Sequence, residues 1–331
     1  NIEKSKYNMN SFNFKKWNTI LGWSTFLVAL ITYSLTVEPT LSFWDCGEYI
    51  ATSANLEVGH PPGAPLFQML GAFFAMFAFS PDKIALMVNY LSVFSSAFTV
   101  LFMFWSLTIL MKKLIVGEKE LSTNNAIMIL GSAAVASLSF TFTDSFWYNA
   151  VEAEVYAMAT FLIALLFWLG LRWEQEINTP RGNKWLLIIS LVIGLSFGVH
   201  FMALLTFPAI GFLYFFKKYN NITVKSFLIA NVVIVAILLF IFKLLLPYTL
   251  AFFGKTEIFM VNSLGMPFNS GTIFAFILII AAFYLGLNYT KKKGHVFYNT
   301  LILSTLFILI GFSTWMMLPI RANANTPINE N

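Results

Sequence analysis

Charge is scarce in this chain. Only 11% of its 331 residues are Asp, Glu, Lys or Arg, whereas 58% are hydrophobic and 18% aromatic. A soluble globular domain carries roughly 25% charged residues, and no soluble core of this size hides 37 phenylalanines. The chain therefore reads as a multi-pass membrane protein, which excludes a cytosolic enzyme, a nucleic-acid-binding module and a disordered scaffold. Cysteine is scarcer still: Cys46 stands alone, excluding an internal disulfide and a cysteine-based metal cluster. Nucleotide-binding loops, His/Glu zinc helices, Ser/His/Asp sets, internal repeats and low-complexity segments are all missing. The net charge of +5 does not bring a nucleic-acid partner back. The basic residues sit in short loops between apolar runs, as the orientation rule for membrane helices requires.

Ten apolar runs are present, near 19–36, 63–79, 84–111, 125–142, 155–171, 185–199, 201–216, 226–247, 271–290 and 297–319. A crossing helix needs ~20 mostly apolar residues. Lys4, Lys6, Lys15 and Lys16 precede the first run and no small-residue cleavage site follows it, so it is expected to be a retained helix with a cytoplasmic N-terminus. If all ten runs crossed, every later basic cluster would fall outside. If 63–79 lies in or re-enters the outer leaflet, Lys112/Lys113/Lys119, Arg172/Arg181/Lys184, Lys217/Lys218/Lys225 and Lys291/Lys292/Lys293 all fall inside. The acidic segments around Asp45, Asp144, Glu152 and Glu257 then fall outside. That run is also interrupted by Gly63, Pro65, Gln68 and Gly71. The expectation is an all-α polytopic bundle of about nine transmembrane helices over residues 1–320. Residues 321–331 are then expected to begin an outer region that continues beyond this stretch, since the chain starts at Asn1 rather than Met and stops in a polar stretch, Ile328-Asn329-Glu330-Asn331.

The few polar residues at the outer face are the candidates for chemistry. If Ser42 caps a helix, Asp45 and Glu48 lie one turn apart on one face, with Phe43, Trp44 and Tyr49 seating it at the interface. Two carboxylates against a low-dielectric surface suit general-base work. A solvated acidic loop is the plainer alternative and stays open. Next comes Gly59-His60-Pro61-Pro62-Gly63. Its Pro-Pro turn holds a histidine at the mouth of an apolar helix, where a donor or cation could meet a lipid phosphate. The second outer loop brings Glu152 and Glu154, either as ligands or as complements to a helix dipole. Arg321 follows Leu318-Pro319-Ile320 as an interface anchor or an anion ligand, the ligand being favoured. His200 is expected to be structural and Lys243 to snorkel outward.

These stretches carry a resemblance. Trp44-Asp45-Cys46-Gly47-Glu48-Tyr49, Gly59-His60-Pro61-Pro62-Gly63-Ala64-Pro65-Leu66 and Phe146-Trp147-Tyr148-Asn149-Ala150-Val151-Glu152-Ala153-Glu154-Val155-Tyr156 resemble a family of bacterial and animal multi-pass proteins. Its animal members act as protein O-mannosyltransferases. The tail Leu318-Pro319-Ile320-Arg321-Ala322-Asn323-Ala324-Asn325 is similar to that of the bacterial members, which continue into a long outer domain. The wider relatives are C-type glycosyltransferases, which share a first outer loop with two juxtamembrane helices and an acidic catalytic residue. They use a polyprenyl-phosphate sugar.

By that resemblance Asp45 is the catalytic acid-base. His60 stands where the aminoarabinose transferases keep a Lys before Pro-Pro to hold the lipid phosphate. Near neutral pH a histidine is charged only part of the time. The resemblance implies an inverting glycosyltransferase of the bacterial inner membrane, moving a sugar from polyprenyl phosphate to a Ser or Thr of an acceptor protein at the outer face. Glu48, His60, Glu152, Glu154 and Arg321 would bind substrate. No cofactor is required on this reading, and a divalent metal is left open by the paired carboxylates. The competing hypothesis is a non-enzymatic membrane subunit or a transporter of lipid-linked saccharide. A transporter should show broken mid-membrane helices and paired repeats.

Overall fold

The computed structural model describes residues 12–179 and 181–330; Lys4, Lys6 and Asn331 lie outside them. The described residues are mostly helical and hold no strand, only an isolated parallel bridge between Val58 and Asn329. They form two compact units, one running to Leu171 and resuming at Met317, the other Arg172–Met316.

The first unit begins with α1 (Phe14–Thr36), started by Asn13, whose side chain accepts from the Lys16 N–H at 3.0 Å. Two short helices follow, α2 (Cys46–Asn55) and α3 (Pro65–Ala75), then the long α4 (Ile84–Ile115), α5 (Thr123–Thr141), the one-turn-plus α6 (Asp144–Ala150) and α7 (Val155–Glu176). Phe26, Ala29 and Tyr33 of α1 pack on Val93, Ala97, Val100 and Leu101 of α4 and on Phe146 and Ala150 of α6. The Tyr33 hydroxyl donates to the Thr141 carbonyl at 2.9 Å, which puts the last turns of α1 and α5 together. At the opposite end, the Lys112 ammonium in the last turn of α4 lies 5.5 Å from the Phe14 ring centre.

Those two contacts fix the sense of the chain. It leaves along α1 and returns along α4, so residues 37–83 stay at one end. The 11 residues of α3 span only about 16 Å at ~1.5 Å per residue, against a hydrocarbon core of ~30 Å. The expectation that 63–79 does not cross follows here from connectivity and length.

The second unit holds α8 (Asn183–Ser196), α9 (Phe207–Lys218), α10 (Val224–Leu239), α11 (Leu246–Ile258), α12 (Ser270–Lys292) and α13 (Val296–Phe312). Wider π-type turns at Phe240–Leu245 and Phe259–Ser263 carry α10 through α11 without a break. α14 (Met317–Ala322) returns the chain to the first unit. Gly194 of α8 and Gly311 of α13 meet where a side chain on either would collide with the other helix's backbone. Small residues at a crossing let two helices pack backbone to backbone in lipid, where hydrophobicity does not drive association.

Among the described residues eight helical stretches are long and apolar enough to cross a membrane, making this a multi-pass membrane protein. The ninth expected crossing, 185–199, corresponds to α8, whose 14 residues reach only about 21 Å. Past Ser196 the turns tighten, with Gly198 and Val199 bonding carbonyls three residues back, and His200 then turns extended, its side chain accepting the Met202 N–H at 3.1 Å to start the next turn. Lys217 of α9 pairs with Glu174 of α7 at 3.4 Å, so α8 and α9 are an out-and-back pair, as two helices between 185 and 216 require.

Candidate active site

The end of the first unit away from Phe14 and Lys112 is built around α2. Ser42 does not cap it. The helix starts at Cys46 with Asp45 as its cap residue, after a left-handed turn at Trp44 (φ 61°). The Ser42 hydroxyl donates instead to Glu152, across 110 positions of sequence. Phe43 and Trp44 are exposed as expected, but Tyr49 is turned inward, its ring 5.9 Å from His60 and 5.2 Å from Phe67. It packs under the site rather than seating the helix at the interface.

Asp45, Glu48 and His60 come together. Glu48 holds His60 three ways: its Oε1 accepts the backbone N–H at 2.7 Å, and ring Nδ1 lies 2.9 Å from Oε2 and 3.0 Å from Oε1. The other ring nitrogen, Nε2, faces Asp45 Oδ2 at 3.9 Å. Gly59 makes this close approach feasible, because a Cβ there would lie 2.6 Å from Glu48 Oε1. The Glu48 carboxylate raises the His60 ring above the ordinary imidazole range, with burial opposing. The Asp45 side chain is 57% exposed, open to an incoming group.

Glu154 joins this set from the second outer loop. Burial, then the charge of Asp45, pushes its carboxyl up to about 7. Tyr49 feels the same field: burial first, then Glu154, Asp45 and Glu48, raises its phenol. Glu152 sits to one side, bonded by Ser42 and Tyr148, and burial raises it as well. The two loops are stitched together by the Glu38 N–H on the Val151 carbonyl at 3.0 Å and by Trp147 Nε1 on Thr36 Oγ1 at 2.9 Å.

Arg321 is not brought to this cluster. Its Nε donates to the Leu56 carbonyl and its Nη2 to the Asn55 carbonyl at 3.1 Å. The guanidinium thus closes the C-terminal end of α2, where carbonyls lack helical partners. The tail beyond it returns to the His60 loop: Val58 N–H donates to the Ile328 carbonyl at 3.1 Å and Glu330 N–H to the Val58 carbonyl at 3.0 Å.

Two supporting residues were not singled out from the sequence. Asn89, fully buried on α4, donates to the Glu38 and Thr40 carbonyls at 2.7 and 3.0 Å and so hangs the first outer loop on the bundle. Gln68, fully buried on α3, donates to Thr52 Oγ1 at 3.0 Å. The signal for both was an amide inside an apolar run, which membrane sequences rarely carry without a partner.

With the acids and the histidine of one outer end assembled, likeness to known proteins can be read against a geometry. No solved structure matches the chain. It is 28% identical over 195 residues, 55% of its length, to the protein O-mannosyl-transferase tmem260 of Dictyostelium discoideum. It is 27% identical over 174 residues, 52% of its length, to the protein O-mannosyl-transferase TMEM260 of Mus musculus. The aligned stretch spans 22% of each of these relatives. Residues 45–223, more than half of the chain, opening on Asp45 and holding Glu48, His60, Glu152 and Glu154, match the protein O-mannosyl-transferase TMEM260 N-terminal domain, and the chain belongs to that family.

Proposed function

We propose that the chain forms the membrane part of an inverting C-type glycosyltransferase, which moves a sugar, mannose by family, from a polyprenyl phosphate to a Ser or Thr hydroxyl of an acceptor protein. Asp45 accepts the hydroxyl proton as the oxygen attacks the anomeric carbon from the face opposite the phosphate. The bond from that carbon to the phosphate oxygen breaks, and its electron pair leaves with the phosphate. His60, clamped by Glu48, meets the departing phosphate, while Glu154 and Glu152 line the acceptor side. The observation that carries this reading is the open Asp45 carboxylate beside a histidine fixed by Glu48. It sits on helices that do not cross, where a lipid phosphate and a hydroxyl from water can both arrive.

The charge pattern supports an orientation. With the N-terminus in the cytoplasm, Lys112, Lys113, Lys217, Lys218, Lys291 and Lys292 sit in last helical turns on the inner side, and α2 and α3 lie at the outer face of a bacterial inner membrane. Labelling a cysteine at position 119 from the outside only would reverse it.

The test of function is transfer of mannose from polyprenyl-phosphate mannose to a Ser/Thr peptide by the full-length protein in lipid. Wild type should transfer and Asp45→Asn should not, at equal expression. Transfer at the wild-type rate by the Asn variant removes Asp45 from its role.

A further inference from the structure

The cluster of Asp45, Glu48 and His60 is short of positive charge. Among the described residues no Lys or Arg pairs with Asp45, Glu48, Glu152 or Glu154; the ion pairs of Asp45 and Glu48 are both with His60. Arg321 bonds the end of α2 instead. Across Gly59 from Glu48 lies the buried amide of Gln68, whose Oε1 is a further acceptor without a partner. A phosphate-bearing donor would add negative charge to a site whose positive groups amount to one imidazole.

The geometry answers that shortage. One ligand atom from each of Asp45, Glu48 and His60 lies within 4.8 Å of the other two. The Nδ1–Glu48 bond leaves the Nε2 lone pair facing Asp45 Oδ2, 3.9 Å away. That is too long for a hydrogen bond. It suits two ligands of one ion, since donors ~2.1 Å from a metal can stand up to ~4.2 Å apart. A carboxylate on the far ring nitrogen of a metal-bound histidine is the usual outer partner, fixing tautomer and ring plane.

We infer that Asp45 Oδ2 and His60 Nε2 bind a divalent cation, Mn²⁺ or Zn²⁺ in preference, with Glu48 orienting the imidazole and water or the donor phosphate completing the coordination. Imidazole with carboxylate selects these ions over Ca²⁺, which takes oxygen ligands throughout. Binding displaces any proton on Nε2 to water. The second Asp45 oxygen stays open, so the inference deepens the glycosyltransferase reading and rests on it for the phosphate.

The test reads binding rather than turnover. Full-length protein in nanodiscs of zwitterionic lipid, stripped with chelator, is titrated with Mn²⁺ and followed by electron paramagnetic resonance, with Zn²⁺ as competitor. One Mn²⁺ per chain, displaced by Zn²⁺ and showing nitrogen coupling from an imidazole in the pulsed spectrum, is the expected result. His60→Ala and Asp45→Asn should each remove it, and Glu48→Gln should weaken it by about 10–100-fold, as loss of an outer partner does. Glu257→Gln, outside the cluster, should leave it alone. The pulsed spectrum needs no variant, so a misfolded His60→Ala does not decide the matter. No binding at millimolar Mn²⁺ and Zn²⁺, or bound Mn²⁺ without nitrogen coupling, overturns the inference. If Asp45→Asn still abolishes transfer while wild type binds neither ion, the metal falls and the glycosyltransferase stands. A bound ion in a protein that transfers nothing gives the reverse.

Discussion

In the unit running to Leu171, buried and half-buried polar side chains reach across the sequence. Asn89 bonds the backbone near Thr40, Tyr33 the carbonyl of Thr141, Gln68 the hydroxyl of Thr52 and Ser42 the carboxylate of Glu152. In Arg172–Met316, buried Ser190, Ser196, Thr206 and Thr290 all bond carbonyls three or four residues back along their own chain. The first pattern ties separate elements into one arrangement. The second satisfies each hydroxyl within its own helix, as any helix in lipid can, and the longer ties of this unit are fewer: Asn299 donates to Thr290 Oγ1 at 2.9 Å and Trp315 Nε1 to the Phe197 carbonyl at 2.9 Å. More than half of the most apolar window around α4 is buried (56%), against 11% for α12, whose side chains face outward. The first unit holds polar side chains in register at the end where α2 and α3 sit, and the second contains the least buried of the apolar helices. The acidic cluster proposed for the chemistry lies in the first.

That comparison breaks most visibly if an acid of the wrong unit matters for turnover. Asp45→Asn should lower mannose transfer by roughly 10²–10⁴-fold, the usual contribution of a general base, because the amide keeps the shape and loses the proton acceptor. Glu257 is the matched acid of the other unit. It accepts the Asn269 and Thr272 N–H groups at 2.6 and 2.8 Å and starts α12. Glu257→Gln should lower the unfolding midpoint and leave transfer per folded molecule unchanged. Equal losses of transfer in both variants would dissolve the distinction.

How much of this was legible in the sequence depends on how far apart the partners lie. That α3 does not cross could be read from basic clusters, because the sign rule acts on each loop separately. The meeting of Asp45, Glu48 and His60 was half legible: a one-turn spacing joins the acids, while the left-handed turn at Leu56 that ends α2 and brings the histidine back within 12 residues carries no sequence signal. Ser42 misled because its hydroxyl had a distant carboxylate to reach, which no local cap signal reveals. The partners of Arg321 were hidden for the same reason. Beside an outer-face acidic cluster a lone arginine reads as an anion ligand, yet its acceptors are carbonyls 265 and 266 positions away. Tyr49 was placed at the interface by composition alone, and burial decided otherwise.

Asn89 gives the next largest effect. Replacing it with Ala strands the Glu38 and Thr40 carbonyls and should destabilise the protein by about 2–3 kcal/mol, since an unmet polar group costs ~1–3 kcal/mol. Ser190→Ala in the other unit removes one hydroxyl bonded within its own helix and should change stability by no more than ~0.5–1.5 kcal/mol. Thermal unfolding in detergent measures both. A cost for Ser190→Ala as large as for Asn89→Ala would mean that the second unit is no looser than the first.

Arg321→Ala follows. Hydrogen bonds from a charged donor contribute about 1.5–3 kcal/mol, and this guanidinium makes two to the end of α2. The variant should unfold at lower temperature and lose protection from hydrogen exchange at Leu56–Val58. Its affinity for polyprenyl phosphate should stay at the wild-type value once folding is restored by low temperature. A ten- to hundredfold loss of affinity in the folded variant would return Arg321 to the anion-ligand role.

The smallest effect is a slope. Glu154 titrates near 4.5 when unfolded and at about 7 in the folded unit, with burial as the main cause and Asp45 second. A carboxyl whose folded value is raised favours the fold while it is protonated. Its contribution is fully present below pH ~4.5 and is lost as pH rises through ~7. Glu154→Gln fixes the neutral form, so the variant should match wild type at low pH and be the more stable of the two above pH ~7. Unfolding midpoints across this window, in buffer containing a chelator so that no cation near Asp45 draws the value down, measure the difference. Parallel curves for the two proteins would mean that Glu154 reaches water in the folded protein. The outer end of the first unit would then be as open as the lipid-facing helices of the second.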